Sequence, residues 1–141
     1  MKTIGWRLFV LLMVMGTLGV VDAKGQAVVQ FKAGSAFVAG NTTFPSGTYT
    51  VLQEDPNDPQ ILVISDDGNT HRAEIQAEYI SSETSRNKTE IIFQKYGNTL
   101  VLKEIWVAGQ RTGYMLPTTH VEKTAAKAGK PTRQSVDATS K

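Results

Sequence analysis

The chain has no cysteine among its 141 residues. That excludes a disulfide framework, a thiol nucleophile, a Cys-ligated zinc or iron–sulfur site and a lipid-modified N-terminal cysteine. Histidine is nearly as scarce. His71 and His120 stand alone, in none of the spacings that gather metal ligands on one strand or helix face. No Gly-x-Ser-x-Gly elbow and no phosphate-binding glycine loop occurs, so a Ser–His–acid assembly from Ser65 or Ser81 with His71 and Asp66 lacks its usual support. No stretch between 26 and 116 repeats its apolar residues at helical spacing, which disfavours a βαβ fold. No metal, cofactor or catalytic residue is expected, and an enzyme ranks below a non-enzymatic module.

What is present divides into three segments. Lys2 and Arg7 precede an uncharged run from Leu8 to Val21, and Val21-Asp22-Ala23 places short side chains at −3 and −1 of a cleavage point. Residues 1–23 therefore read as a secretory signal peptide, since 14 helical residues reach about 21 Å against a hydrocarbon core of about 30 Å. The mature chain is expected to begin at Lys24, in a periplasmic or extracellular setting. From Lys24 to Glu122 eight bases face eleven acids, a net −3, while residues 123–141 carry five bases against Asp137, a net +4. An acidic body argues against a nucleic-acid face, which needs clustered bases. The basic tail has only Val136 as a sizeable apolar side chain from Lys130 onward. It is expected to be largely disordered, free to meet an anionic envelope polymer or lipid surface, or to dock on the body.

The segment 24–122 reads as a single all-β domain. Runs rich in Val, Ile, Thr, Tyr and Phe alternate with Gly, Pro, Asn and Asp clusters about every ten residues, the spacing of an antiparallel sandwich or barrel of about 7–8 strands. Strands are expected at 27–32, 36–39, 48–53, 60–65, 70–80, 89–95, 99–107 and 111–116. Asp67-Gly68 and Gly97-Asn98 mark tight hairpins, and Asp55-Pro56-Asn57-Asp58-Pro59 and Ser81 to Lys88 mark loops. In 70–80 His71, Ala73, Ile75, Ala77 and Tyr79 share one face, expected to be the buried one. Both faces of 100–107 are apolar, as in a strand covered on both sides. Thr119-His120-Val121-Glu122 spells a capping box, so a short helix can follow the last strand and stop at Gly129.

Ala36 to Val51 (AFVAGNTTFPSGTYTV), Ile91 to Gly97 (IIFQKYG), Ile105-Trp106 and the Gly109-x-x-x-Gly113-x-x-Leu116 run resemble a family of small exported acidobacterial β proteins of uncharacterised function. The match spans most of residues 27–122, with Ser46 where the family has Ala and Lys95 where it has Arg. The resemblance implies a bacterial envelope or extracellular β domain and carries over no catalytic residue.

The carboxylates of Asp55, Asp58, Asp66 and Asp67 fall in turns, where Asp bonds nearby backbone amides. The remaining candidates are aromatic. Tyr49, Phe93, Tyr96, Trp106 and Tyr114 either pack the core or line a ligand pocket inside a small barrel. The sequence therefore points to an exported, non-enzymatic β module with a binding or structural role in the envelope or extracellular space. The alternative is a small barrel carrier of an apolar ligand, and a hydrolase comes third.

Overall fold

The computed structural model describes residues 26–140. The expected signal peptide and its junction at Lys24 lie outside the described residues. Eleven strands form one sheet: β1 (Gln26–Ala33), β2 (Phe37–Ala39), β3 (Thr42–Phe44), β4 (Gly47–Gln53), β5 (Ile61–Asp66), β6 (Arg72–Gln76), β7 (Glu78–Ser81), β8 (Glu90–Tyr96), β9 (Thr99–Trp106), β10 (Thr112–Met115) and β11 (Thr132–Ser140). A helix, α1 (His120–Ala125), runs into a 3-10 turn over Ala126–Ala128.

The pairings run almost full circle. β1 pairs β4, β4 pairs β5 and β5 pairs β6, while β7 pairs β10, β10 pairs β9, β9 pairs β8, β8 pairs β11 and β11 returns to β1, all antiparallel. Ala77 alone separates β6 from β7, so that corner is turned by the chain itself. The result is a nearly closed barrel of eight staves, β6 and β7 forming one bent stave, which leaves few strand edges to water. The β2–β3 hairpin lies outside this ring and joins it through one parallel bridge, Val38 to Val101.

Alternation fills the interior. Val29 and Phe31 from β1, Tyr49 and Val51 from β4, Leu62 and Ile64 from β5, Ile91 and Phe93 from β8, and Leu100, Leu102 and Ile105 from β9 form one buried cluster. The β2–β3 hairpin adds Phe37 and Phe44, stacked at 5.2 Å with 13° between planes. Phe37 also meets Phe31, Tyr49 and Phe93 at 5.8, 5.1 and 5.5 Å. Burying each such ring contributes about 1.5–3 kcal/mol, and each well-oriented pair about 0.5–1.5 kcal/mol more. A bulge breaks the β8–β9 register between Ile92 and Phe93, since Ile92 faces Glu104 while Phe93 faces Leu102. Lys103 is the extra residue, and the shift keeps both Leu102 and Ile105 in the core.

Eleven strands form where seven or eight were expected: the short β3 (Thr42–Phe44) was not foreseen, and three further differences stand beside it. The single strand foreseen over 70–80 is broken at Ala77: Ile75 and Ala77 are buried, but Tyr79 beyond the break is 46% exposed, because β7 leaves β5 to pair β10. The turn at Asp67-Gly68 is a longer loop between β5 and β6, with Asn69 rather than the glycine at positive φ (53°). The Gly97-Asn98 hairpin holds as read, with Gly97 at φ 58°. The third difference is the largest. The tail, expected to be disordered, forms β11 and completes the wall between β8 and β1. Two open strand edges supply a ladder for its backbone, so ordering it does not depend on a large apolar face. Only Val136 and Ala138 pack toward the core.

Candidate functional site

The five aromatic candidates do not line one cavity. Tyr49 and Phe93 are both buried within the central ring cluster, each against Phe31 and Phe37. The Tyr49 hydroxyl donates to the Pro45 carbonyl, which ties the β3–β4 turn to the core. Burial, and then the nearby charge of Asp66, push the Tyr49 phenol above its usual range. These two side chains pack the barrel.

Tyr96 sits on the opposite face, in a second cluster with Val38 and Val101 on which Val121 and Ala125 of α1 rest. Its hydroxyl donates to Glu122 Oε2 at 2.8 Å. Lys103 Nζ, aimed outward by the bulge, donates to Glu122 Oε1 and to Thr118 Oγ1, each at 3.0 Å. Glu122 is buried there and Lys103 partly buried, with side chains only 5% and 13% exposed. Burial and the Glu122 bond hold the Tyr96 phenol above its ordinary value. Half of the expected capping box forms, since Thr119 Oγ1 accepts from the Glu122 amide at 3.3 Å. The Glu122 carboxylate instead turns inward to Tyr96 and Lys103. Nothing in the local sequence signals that choice, because its partners lie 26 and 19 residues away.

Trp106 is 4% exposed on the outer wall, its Nε1 donating to Glu104 Oε1 at 2.9 Å and the Arg86 guanidinium lying 4.4 Å above its ring. Arg86 also donates to Glu90, which further accepts from Ser135 Oγ at 2.6 Å. Burial pushes the Glu90 carboxyl up, but the bonds from Ser135 and Arg86 outweigh it and leave the group below its usual range. The loop from Ser82 to Lys88 bounds a hollow of about 380 Å³ beside this cluster. Its two bases are already paired, Arg86 with Glu90 and Lys88 with Asp137 at 3.1 Å.

Tyr114 marks the surface best placed to meet a ligand. It lies opposite Ile105 on one side and Tyr79 on the other, and rests partly buried on the rim of the core cluster. Gln53 at the end of β4 donates from Nε2 to its hydroxyl, and the Tyr79 ring stands 5.5 Å away at 45°. Tyr79 is the one large hydrophobic exposed among the described residues. Three strands thus present two phenol rings and an amide, which offers stacking faces and hydrogen-bond groups side by side. Sequence reading singled out Tyr114 but assigned Tyr79 to the core, because the break at Ala77 carries no Gly or Pro.

No family model, curated protein or solved structure matches the chain. His71 Nδ1 lies 2.9 Å from Asp66 Oδ2, and that bond, first among its causes, lowers the Asp66 carboxyl. Asp66 Oδ1 and Oδ2 also accept from the Thr70 and His71 amides at 2.8 and 3.3 Å. The pair therefore serves to close the β5–β6 loop. Among the described residues no serine hydroxyl bonds to His71, and no three His, Asp or Glu side chains converge. Every buried side-chain polar atom described has a hydrogen-bond partner.

Proposed function

We propose that this protein is an exported, non-enzymatic β module of a bacterial envelope or extracellular space, with a binding or structural role exercised through its outer surface. The observation that carries this reading is the filled barrel. Phe31, Phe37, Phe44, Tyr49 and Phe93 interlock where a carrier would hold its ligand. A carrier of an apolar molecule would need these rings to part, at the cost of several ring pairs worth about 0.5–1.5 kcal/mol each. The uncharged run from Leu8 to Val21 behind Lys2 and Arg7, and the resemblance of Ala36–Val51 and Ile91–Gly97 to exported acidobacterial β proteins, support the exported setting. The Tyr79–Tyr114–Gln53 rim is the surface from which binding to an envelope polymer or a protein partner would be built.

One measurement addresses export and carriage together. Native mass spectrometry of the protein recovered from its own source should give the mass of residues 24–141 with no adduct. The full-length mass in a membrane fraction would refute export, and a retained small-molecule mass would replace the module with a carrier. Turnover of ester, glycoside or phosphoester substrates that disappears in His71→Ala would refute the non-enzymatic reading.

A further inference from the structure

We infer that β11 exchanges between two copies of this chain, each completing the barrel of the other, with residues 129–131 as the hinge. β11 is last in sequence yet central in the wall. Thr132–Asp137 pair Lys95–Glu90 of β8, and Ala138–Ser140 pair Phe31–Val29 of β1. Withdrawing it leaves two successive open edges, Glu90–Lys95 of β8 and Val29–Phe31 of β1, a template for another strand.

The strand is held mainly by its backbone. Seven of its nine residues are exposed, so little apolar surface opposes release. The segment before it is held firmly: the buried Tyr96–Glu122–Lys103 network fixes α1, and Thr119 Oγ1 donates to the Gly40 carbonyl at 3.2 Å. Motion is therefore confined to the connection after Ala128. That connection has three residues. Gly129 takes φ 133° and ψ −172°, a combination essentially restricted to glycine, and Pro131 fixes its own φ and drives Lys130 to an extended form. A three-residue hinge next to a weakly buried terminal strand is the arrangement that favours exchange, because so short a connection leaves the closed form little slack.

The occupant is a second copy because this template recognises this strand's side chains. Arg133 pairs with Glu104 at 3.2 Å, Asp137 with Lys88 at 3.1 Å and Ser135 with Glu90 at 2.6 Å. The β11 of another copy makes the same bonds, so the balance between closed monomer and exchanged dimer reduces to hinge slack against the entropy of association.

The cysteine-free chain makes the test clean. Gln94 and Arg133 face one another across β8 and β11, and antiparallel partners lie about 4.5–5.5 Å apart at Cα, within disulfide reach. Gln94→Cys and Arg133→Cys proteins are mixed at high concentration, warmed to just below the melting temperature, cooled and oxidised. A covalent dimer holding one chain of each kind is expected, absent when either variant is treated alone. The parent protein, treated the same way, should show a dimer by light scattering. A Gly-Ser insertion after Gly129 should lower the dimer at least about fivefold. A parent protein that stays monomeric by light scattering overturns the inference, as does a dimer whose amount ignores the insertion.

Discussion

Gly113→Ala tests the wall of the barrel at its tightest point. A Cβ on Gly113 would lie 2.6 and 2.8 Å from Trp106 Cε3 and Cδ2, and 2.8 Å from the Ile105 carbonyl oxygen. The carbonyl belongs to β9, which pairs β10 next to this position through Tyr114 and Ile105. The indole has little freedom, held by Glu104 on its edge and Arg86 on its face. Overpacking of this kind costs about 1–3 kcal/mol. A displaced indole also forfeits part of a cation–π contact worth about 0.5–1 kcal/mol and a hydrogen bond worth about 1 kcal/mol. The total is about 3 kcal/mol, a fall in melting temperature of roughly 10–20 °C for a domain of this size. Gly34 is the control, because a Cβ there meets nothing within 4 Å and Gly34→Ala should stay within about 0.5 kcal/mol of the parent. In material beginning at Lys24 Trp106 is the sole tryptophan, so its fluorescence reports the transition directly. Melting temperatures of the two variants within about 2 °C of each other would refute the close approach of β10 to Trp106.

Glu122→Ala should destabilise the protein by about 3–5 kcal/mol in urea titrations, because it strands Lys103 in a buried site, whereas Lys103→Met with Glu122→Leu should recover most of that loss; equal losses would contradict the buried pair. The depressed Glu90 carboxyl sets an acid limb. A carboxyl lower in the folded than in the unfolded state contributes stability above the unfolded value of about 4.3, and that stability is lost as pH falls through the folded value. Urea midpoints of Glu90→Gln and the parent should therefore differ most near neutral pH and converge as the pH falls through the folded value, and a gap that stays constant would refute the pairing of Glu90 with Arg86 and Ser135.

Most of the wall was legible because its signals are local. Val, Ile and Phe at alternate positions of β4, β5 and β8, and Gly97-Asn98 between Tyr96 and Thr99, specify strand and turn within a few residues. What escaped depends on distant partners. Thr132–Ser140 offers only Val136 and Ala138 to the core, so its order comes from edges on β1 and β8 that its own composition does not reveal. Tyr79 escaped for a related reason, since only the change of partner from β5 to β10 turns it out of the core. The opposite charges of body and tail, −3 and +4 by sequence, take structural form in the Arg133–Glu104 pair, whereas Lys88–Asp137 runs the other way, a body base on the tail's one acid. Those pairs are exposed on at least one side and contribute about 0–1 kcal/mol each, so they guide register more than they hold the strand.

The barrel's closure by its own last strand is most directly tested by truncation before Lys130. With β11 gone, the edges of β1 and β8 are open and Phe31, Ile91 and Phe93 lose the wall beside them. Thermal melts followed by circular dichroism should show a melting temperature at least about 10 °C lower, with binding of a hydrophobic dye that the full chain does not show. An unchanged melting temperature and no dye binding would mean that residues 130–141 merely lie on a barrel already complete without them.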